Sequence, residues 1–238
     1  MKTTVQTSPS ASTGAVAPSL FPVPVLAVSD PQPAYRFTAT DLYQLATGSD
    51  VTSWPSRDGS LSWTPNGPAP SIEIVDGHEA LTLNSGEFFN FLTIPGLSTS
   101  DFTVIVYAKI TTPSSGNGTI IATGSQQWRI STTRTLNTSG FSGGSLGAPL
   151  MPTGWDVVAF SLQYAAIGAT RNARLTAGGD VSSATNVTSA SAHPGNVSLG
   201  YGGGGGAVMS VREAHIHKAY LTDAQIAARR AELKTYWG

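Results

Sequence analysis

The stretch AVMSVREAHIHKAYLTDAQIAARRAELKTYWG, residues 207–238, reads as a strand, a bend and a closing helix. Successive side chains of an extended chain point to opposite sides, so Glu213, His215 and His217 share one face of a strand over 211–217. Thr222 and Gln225 then stand three apart, the spacing at which each side chain satisfies a free amide at the start of a helix. Asp223 puts a carboxylate in the first turn and Lys234 a cation in the last, as the helix dipole favours. Ile226, Leu233 and Trp237 recur at helical spacing and make one apolar stripe.

Upstream of this end the chain is punctuated for strands. Phe102, Val104, Val106, Ala108 and Ile110 alternate with Thr103, Ile105, Tyr107 and Lys109, which predicts a long strand in the middle of a sheet. Ile72 and Ile74, then Leu81 and Leu83, flank an Asp76-Gly77 pair and predict a hairpin. Runs at 88–94, 120–121, 128–132, 157–163, 171–177 and 197–200 continue the pattern between clusters of Gly, Ser, Thr and Pro. The glycine run that follows Tyr201 reads as a hairpin joining the last pair of strands. Short strands so spaced predict an antiparallel β-sandwich over residues 34–238, ended by the short helix. Residues 1–33 differ in kind: six prolines lie among Ser, Thr and Ala, so this segment buries too little apolar surface to fold alone and is expected to form an extended arm.

Two stretches resemble the laminin-G-like, concanavalin A-like jelly-roll superfamily. REAHIHKAYLTDAQI, residues 212–226, is similar to that superfamily's closing segment at Glu213, Ile216, Leu221, Thr222, Asp223 and Ile226, with His217 where an aromatic is usual. YRFTATDLYQLATGSDVTSWPSRDG, residues 35–59, resembles its opening at Val51, Trp54, Asp58 and Gly59, although Ser49 or Asp50 stands for the first aspartate. The resemblance implies a concanavalin A-like jelly roll, with a structural role for Glu213 and core positions for Trp54 and Trp155. Small chains of this superfamily that join an arm to a sandwich resemble phage virion proteins. That implies a non-enzymatic structural and binding protein on the virion surface. A capsid or tail protein would hold residues 1–33, the sandwich would meet host-surface glycans, and copies of the chain would associate. A secreted or cell-surface carbohydrate-binding module is the alternative, and a glycoside hydrolase or polysaccharide lyase the second alternative.

Composition bears on these classes. The net charge of −1 and the 11% of charged residues give no electrostatic footprint for nucleic acid or an anionic membrane. No run approaches the roughly 20 apolar residues of a membrane-spanning helix. Cysteine is absent, which removes thiolate metal sites and cysteine nucleophiles. Hydrolysis of a glycoside with retention needs two carboxyl groups roughly 5 Å apart, and the acidic residues are isolated: Glu73, Asp76 and Glu79 read as solvated strand ends. Ser142, in GFSGG, lacks the spacing of a nucleophile elbow, and the glycine run lacks the Lys and Ser/Thr of a phosphate loop.

Weaker signals remain. Glu213, His215 and His217 supply two imidazoles and a carboxylate on one face, half of a metal site, with no third histidine near in sequence. Asp58, Asp76, Asp156 and Asp180 offer oxygen ligands of the kind calcium takes, though Asp58-Gly59 and Asp76-Gly77 read more simply as turns, and no cofactor is expected. Sugar rings stack on aromatic faces, which makes Trp63, Trp128 and Tyr201 the candidate glycan contacts.

Overall fold

The structure is a computed structural model that describes residues 31–113, 116–124, 126–140, 146, 149–188, 194–200 and 206–238, with backbone alone for 182–186. Residues 1–30 of the expected arm lie outside the described residues. Among the described residues, fifteen strands and one α-helix follow from Tyr35 onward. The first part of the chain gives β1 (Tyr35–Thr38), β2 (Trp54–Pro55), β3 (Ser62–Trp63), β4 (Ser71–Val75), β5 (His78–Leu83) and β6 (Leu92–Thr93). Its middle gives β7 (Phe102–Thr111), β8 (Asn117–Thr123), β9 (Gln126–Ser131), β10 (Leu136–Ser139) and β11 (Asp156–Leu162). The last part gives β12 (Thr170–Ala177), β13 (Asp180–Thr188), β14 (Asn196–Leu199), β15 (Val208–His217) and helix α1 (Asp223–Trp237).

These strands form two large antiparallel sheets and a two-stranded ribbon of β2 and β3. One runs β13-β12-β11-β7-β15-β5-β4, with β1 added to β15; the other runs β10-β9-β8-β14-β6. The expected sandwich is therefore present, with β7 between β11 and β15 as its alternation predicted. Phe102, Val104, Val106, Ala108 and Ile110 face the other sheet and join a core that includes Phe160, Trp128, Ile121 and Leu199. The opposite face of β7 is apolar too, because α1 covers it: Ile105 and Tyr107 pack with Val157, Ala159, Leu221, Ile226, Leu233 and Trp237.

The closing segment behaves as read. Thr222 Oγ1 accepts from the Gln225 amide at 3.2 Å and Gln225 Oε1 accepts from the Thr222 amide at 2.8 Å, completing the capping box. The Asp76-Gly77 hairpin has both residues at positive φ, 50° and 80°, the combination a two-residue turn of the primed type requires. Other expectations are corrected. Only Leu92–Thr93 of the run 88–94 is a strand; Phe89 and Ile94 make single bonds outside a ladder, to the carbonyls of Leu199 in β14 and of Gly195 before it. β10 and β13 were not expected; DVSSATNVT, the sequence of β13, has no apolar alternation, because an edge strand is defined by pairing with its one neighbour, here β12. The glycine run does not join neighbouring strands: β14 lies in one sheet and β15 in the other, so the connection crosses between them.

The neck of that connection tolerates little. Gly200 and Ala207 donate to Ile120 and Thr119 of β8, and a Cβ on Gly206 would sit 2.5 Å from the Gly200 carbonyl oxygen. For the helix, Thr222→Ala removes a cap and is expected to lower unfolding free energy by about 1 kcal/mol in urea denaturation, with Thr222→Ser close to wild type.

Candidate functional site

Glu213, His215 and His217 do lie side by side on β15, under α1, and all three are buried. Their environment is that of an ionic lock. Glu213 Oε1 accepts from Arg36 Nε of β1 and from His215 Nε2 at 2.6 Å, and Oε2 accepts from Trp237 Nε1 at 3.1 Å. Burial alone would push this carboxyl up, but the facing His215 and Arg36 hold it down at about 2. Desolvation, with the neighbouring charges of His215 and Arg229, pushes His217 down to about 3. Both oxygens of the only carboxylate in the trio are thus occupied by protein donors. Among the described residues, no group of three or more His, Asp or Glu is arranged to hold a metal ion.

The candidate calcium aspartates are scattered and engaged. Asp58 accepts from the Ser56 and Ser60 hydroxyls at 2.6 and 2.7 Å, closing its own turn. Asp76 accepts from Lys109 and from Trp155 Nε1, at 3.0 and 2.7 Å. Asp156 takes both Arg230 and Lys234 of α1, at 2.6, 2.8 and 3.0 Å, and so pins the helix to β11. Asp180 opens β13.

The aromatic candidates require correction. Trp63 and Trp128 are each 1% exposed, leaving no ring face for a sugar. Trp63 packs on Phe37, with centroids 4.3 Å apart, and donates Nε1–H to the Val197 carbonyl; Trp128 packs on Phe160 in the core. The signal was in the parity of the strands, since Trp128 is two residues from Ile130 and Trp63 two from Leu61, each pair sharing a face. Tyr201 lies outside the described residues. Trp54 is core as expected, whereas Trp155 is half-buried, under the Arg212 guanidinium at 3.9 Å from its ring. That guanidinium is directed there by a bulge in β15 between Val211 and Glu213.

Composition missed a different surface, the outer face of the five-stranded sheet. β9 alternates strictly: Gln126, Trp128 and Ile130 are buried inward, so Gln127, Arg129 and Ser131 stand outward, half-buried. The register sets Arg129 between Thr119 of β8 and Asn137 of β10, and Gln127 between Ala122 and Ser139. Asn137 Nδ2 reaches over β9 to donate to Asn117 Oδ1 at 3.0 Å. The result is a row of amides and hydroxyls around one guanidinium. Such a face donates and accepts hydrogen bonds in several directions and carries no carboxylate to act as an acid or base. A separate open depression of about 330 Å³ lies between residues 33–36 and 57–58. Its charged groups are committed, Arg36 to Glu213, Arg57 to Asp41 and Asp58 to its turn.

No protein-family model matches the chain, and no curated protein sequence does. Solved structures share its fold. A Trypanosoma rangeli sialidase in complex with 2,3-difluorosialic acid is similar over 92% of this chain and 36% of its own, with a TM-score of 0.57 and 10% identity. Domain 4 of AbnA, a GH43 extracellular arabinanase from Geobacillus stearothermophilus in complex with arabinotriose, is similar over 84% of this chain and 99% of its own, at 0.56 and 14%. The binding domain of botulinum neurotoxin DC in complex with SialylT follows over 78% and 52%, at 0.51 and 11%. The chain spans about a third of the length of the sialidases it matches, 32% for two of them. At these identities the likeness is one of fold.

The ionic lock predicts acid sensitivity in two stages. An unfolded histidine takes up a proton below about 6.5 and the folded His217 not until about 3, so stability falls as pH drops through that window. Glu213, ordinarily near 4.5 and here about 2, adds stability that is present above 4.5 and lost as pH falls toward 2. Thermal unfolding from pH 8 to 3 is expected to show a decline beginning near 6.5 in the wild type, and His217→Leu is expected to delay it to below 5. Glu213→Ala removes the buried acceptor shared by Arg36, His215 and Trp237 and is expected to cost about 3–5 kcal/mol in denaturant titration at pH 7.

Proposed function

We propose that this chain is a non-enzymatic carbohydrate-binding sandwich that takes a saccharide on the outer face of the five-stranded sheet. The observation that carries the reading is the row Gln127, Arg129, Asn137, Asn117 and Ser139. Sugar hydroxyls both donate and accept, and amides and hydroxyls held by a sheet offer the matching partners without reorganising. Two fold neighbours were solved with saccharides, the arabinanase domain with arabinotriose and the toxin domain with SialylT, and the arabinanase domain matches along nearly its whole length. The reading also fits the carboxylates under α1, whose oxygens serve structure and are not placed as an acid and base pair.

A second reading adds assembly. Arg229 of α1, itself buried, donates Nη2–H to the Pro31 carbonyl at 3.2 Å, so the arm departs from a fixed point beside the helix. An arm tethered there fits a displayed component of a virion, held by residues 1–33 to a capsid or tail protein.

Both readings are tested directly. Gln127→Ala with Asn137→Ala is expected to weaken binding on a neutral and acidic oligosaccharide panel at least tenfold, while thermal stability stays within a few degrees of wild type. Binding unchanged by the pair of substitutions would move the site elsewhere, and turnover of any panel member would make the protein an enzyme. For the arm, a chain lacking residues 1–30 is expected to keep glycan binding and to lose recovery of a coat or tail protein from the native source.

A further inference from the structure

Arg129 is the one charged side chain in the five strands of its sheet, LT, NGTIIAT, QQWRIS, LNTS and NVSL. It is also the arginine without an answering oxygen. Arg36, Arg57, Arg174 and Arg230 pair with Glu213, Asp41, Asp223 and Asp156. Arg134, Arg171, Arg212 and Arg229 donate to main-chain carbonyls. Among the described residues no carboxylate or carbonyl meets Arg129, and its Nε is shielded from solvent with no acceptor.

A guanidinium held in this way is ready for a planar anion, because its parallel N–H groups match the two oxygens of a carboxylate. The surroundings narrow the choice. Asn137, Gln127 and Ser139 around it, by the pairing register, are half-buried and suit hydroxyl groups, and a single cation suits a single negative charge. A polyacidic peptide would call for several cations on this face, and the strands supply one.

We infer that the outer face of the five-stranded sheet selects a carboxylated sugar, a uronate or a sialate, with Arg129 taking the carboxylate and the amides taking neighbouring hydroxyls. This rests on the proposed carbohydrate-binding reading.

Calorimetric titration of the full chain separates the two. The probes are galacturonate and sialyllactose, each with one carboxylate, and each against its methyl ester, which replaces the charge by a neutral ester. The acids are expected to bind at least tenfold more tightly than the esters, with the advantage shrinking as salt rises. Arg129→Gln is expected to abolish that difference while leaving ester binding in place, and Arg129→Lys to restore part of it. Whichever acid shows the larger ratio identifies the sugar. Equal affinity for acid and ester in the wild type overturns the selection of an acidic sugar, while the carbohydrate reading survives if Gln127→Ala with Asn137→Ala still weakens both. Absence of binding by every saccharide overturns both. A polyglutamate peptide that competes as strongly as the acidic sugars would make the face a peptide site and overturn the inference.

Discussion

The Glu213 carboxylate is the constraint on which the closed sandwich depends. Arg36 reaches it from β1, His215 from β15 itself and Trp237 from the last residue of α1. A buried anion without donors would be costly, and with three it fixes the relative position of three elements at once. Two of them are the first and last elements of the sandwich, so closure of the fold and satisfaction of this charge are one event. Arg229 extends the lock by holding the Pro31 carbonyl, which brings the chain's entry into the same corner.

The helix has a second anchor of the same kind. Burial would raise the Asp156 carboxyl, yet Arg230, the Val157 amide and Lys234 together hold it below the ordinary range. α1 therefore sits on its sheet by an apolar stripe of Ile226, Leu233 and Trp237 flanked by carboxylates that accept from its own basic side chains or its terminal indole. One side of the sandwich is sealed in this way. Among the described residues no helix covers the outer face of the five-stranded sheet, and the outward polar side chains of β9 and β10 are half-buried.

Most of the architecture was legible because burial writes itself into period and turn chemistry. The alternation of 102–110, the Asp76-Gly77 turn and the Thr222 and Gln225 cap each have one physical reading, and the structure has them. The edge strands escaped, since DVSSATNVT and LNTS are extended through their neighbours and carry little pattern of their own. The site was less legible. Trp63 and Trp128 stand among polar neighbours, which suits an exposed platform as well as an inward ring, and only their parity with Leu61 and Ile130 decides. Gln127, Arg129 and Asn137 are ordinary surface residues in the sequence. They become a constellation only through the register of β8, β9 and β10, which no local pattern announces.

The crossing between the sheets has a consequence for how such a molecule diversifies. Gly200 and Gly206 press together, with no room for a Cβ on either, and their surroundings on β8 fix where the chain leaves one sheet and enters the other. A pinch of this kind admits only glycine at both positions, so substitution at 200 or 206 is closed to this molecule while the crossing keeps its course.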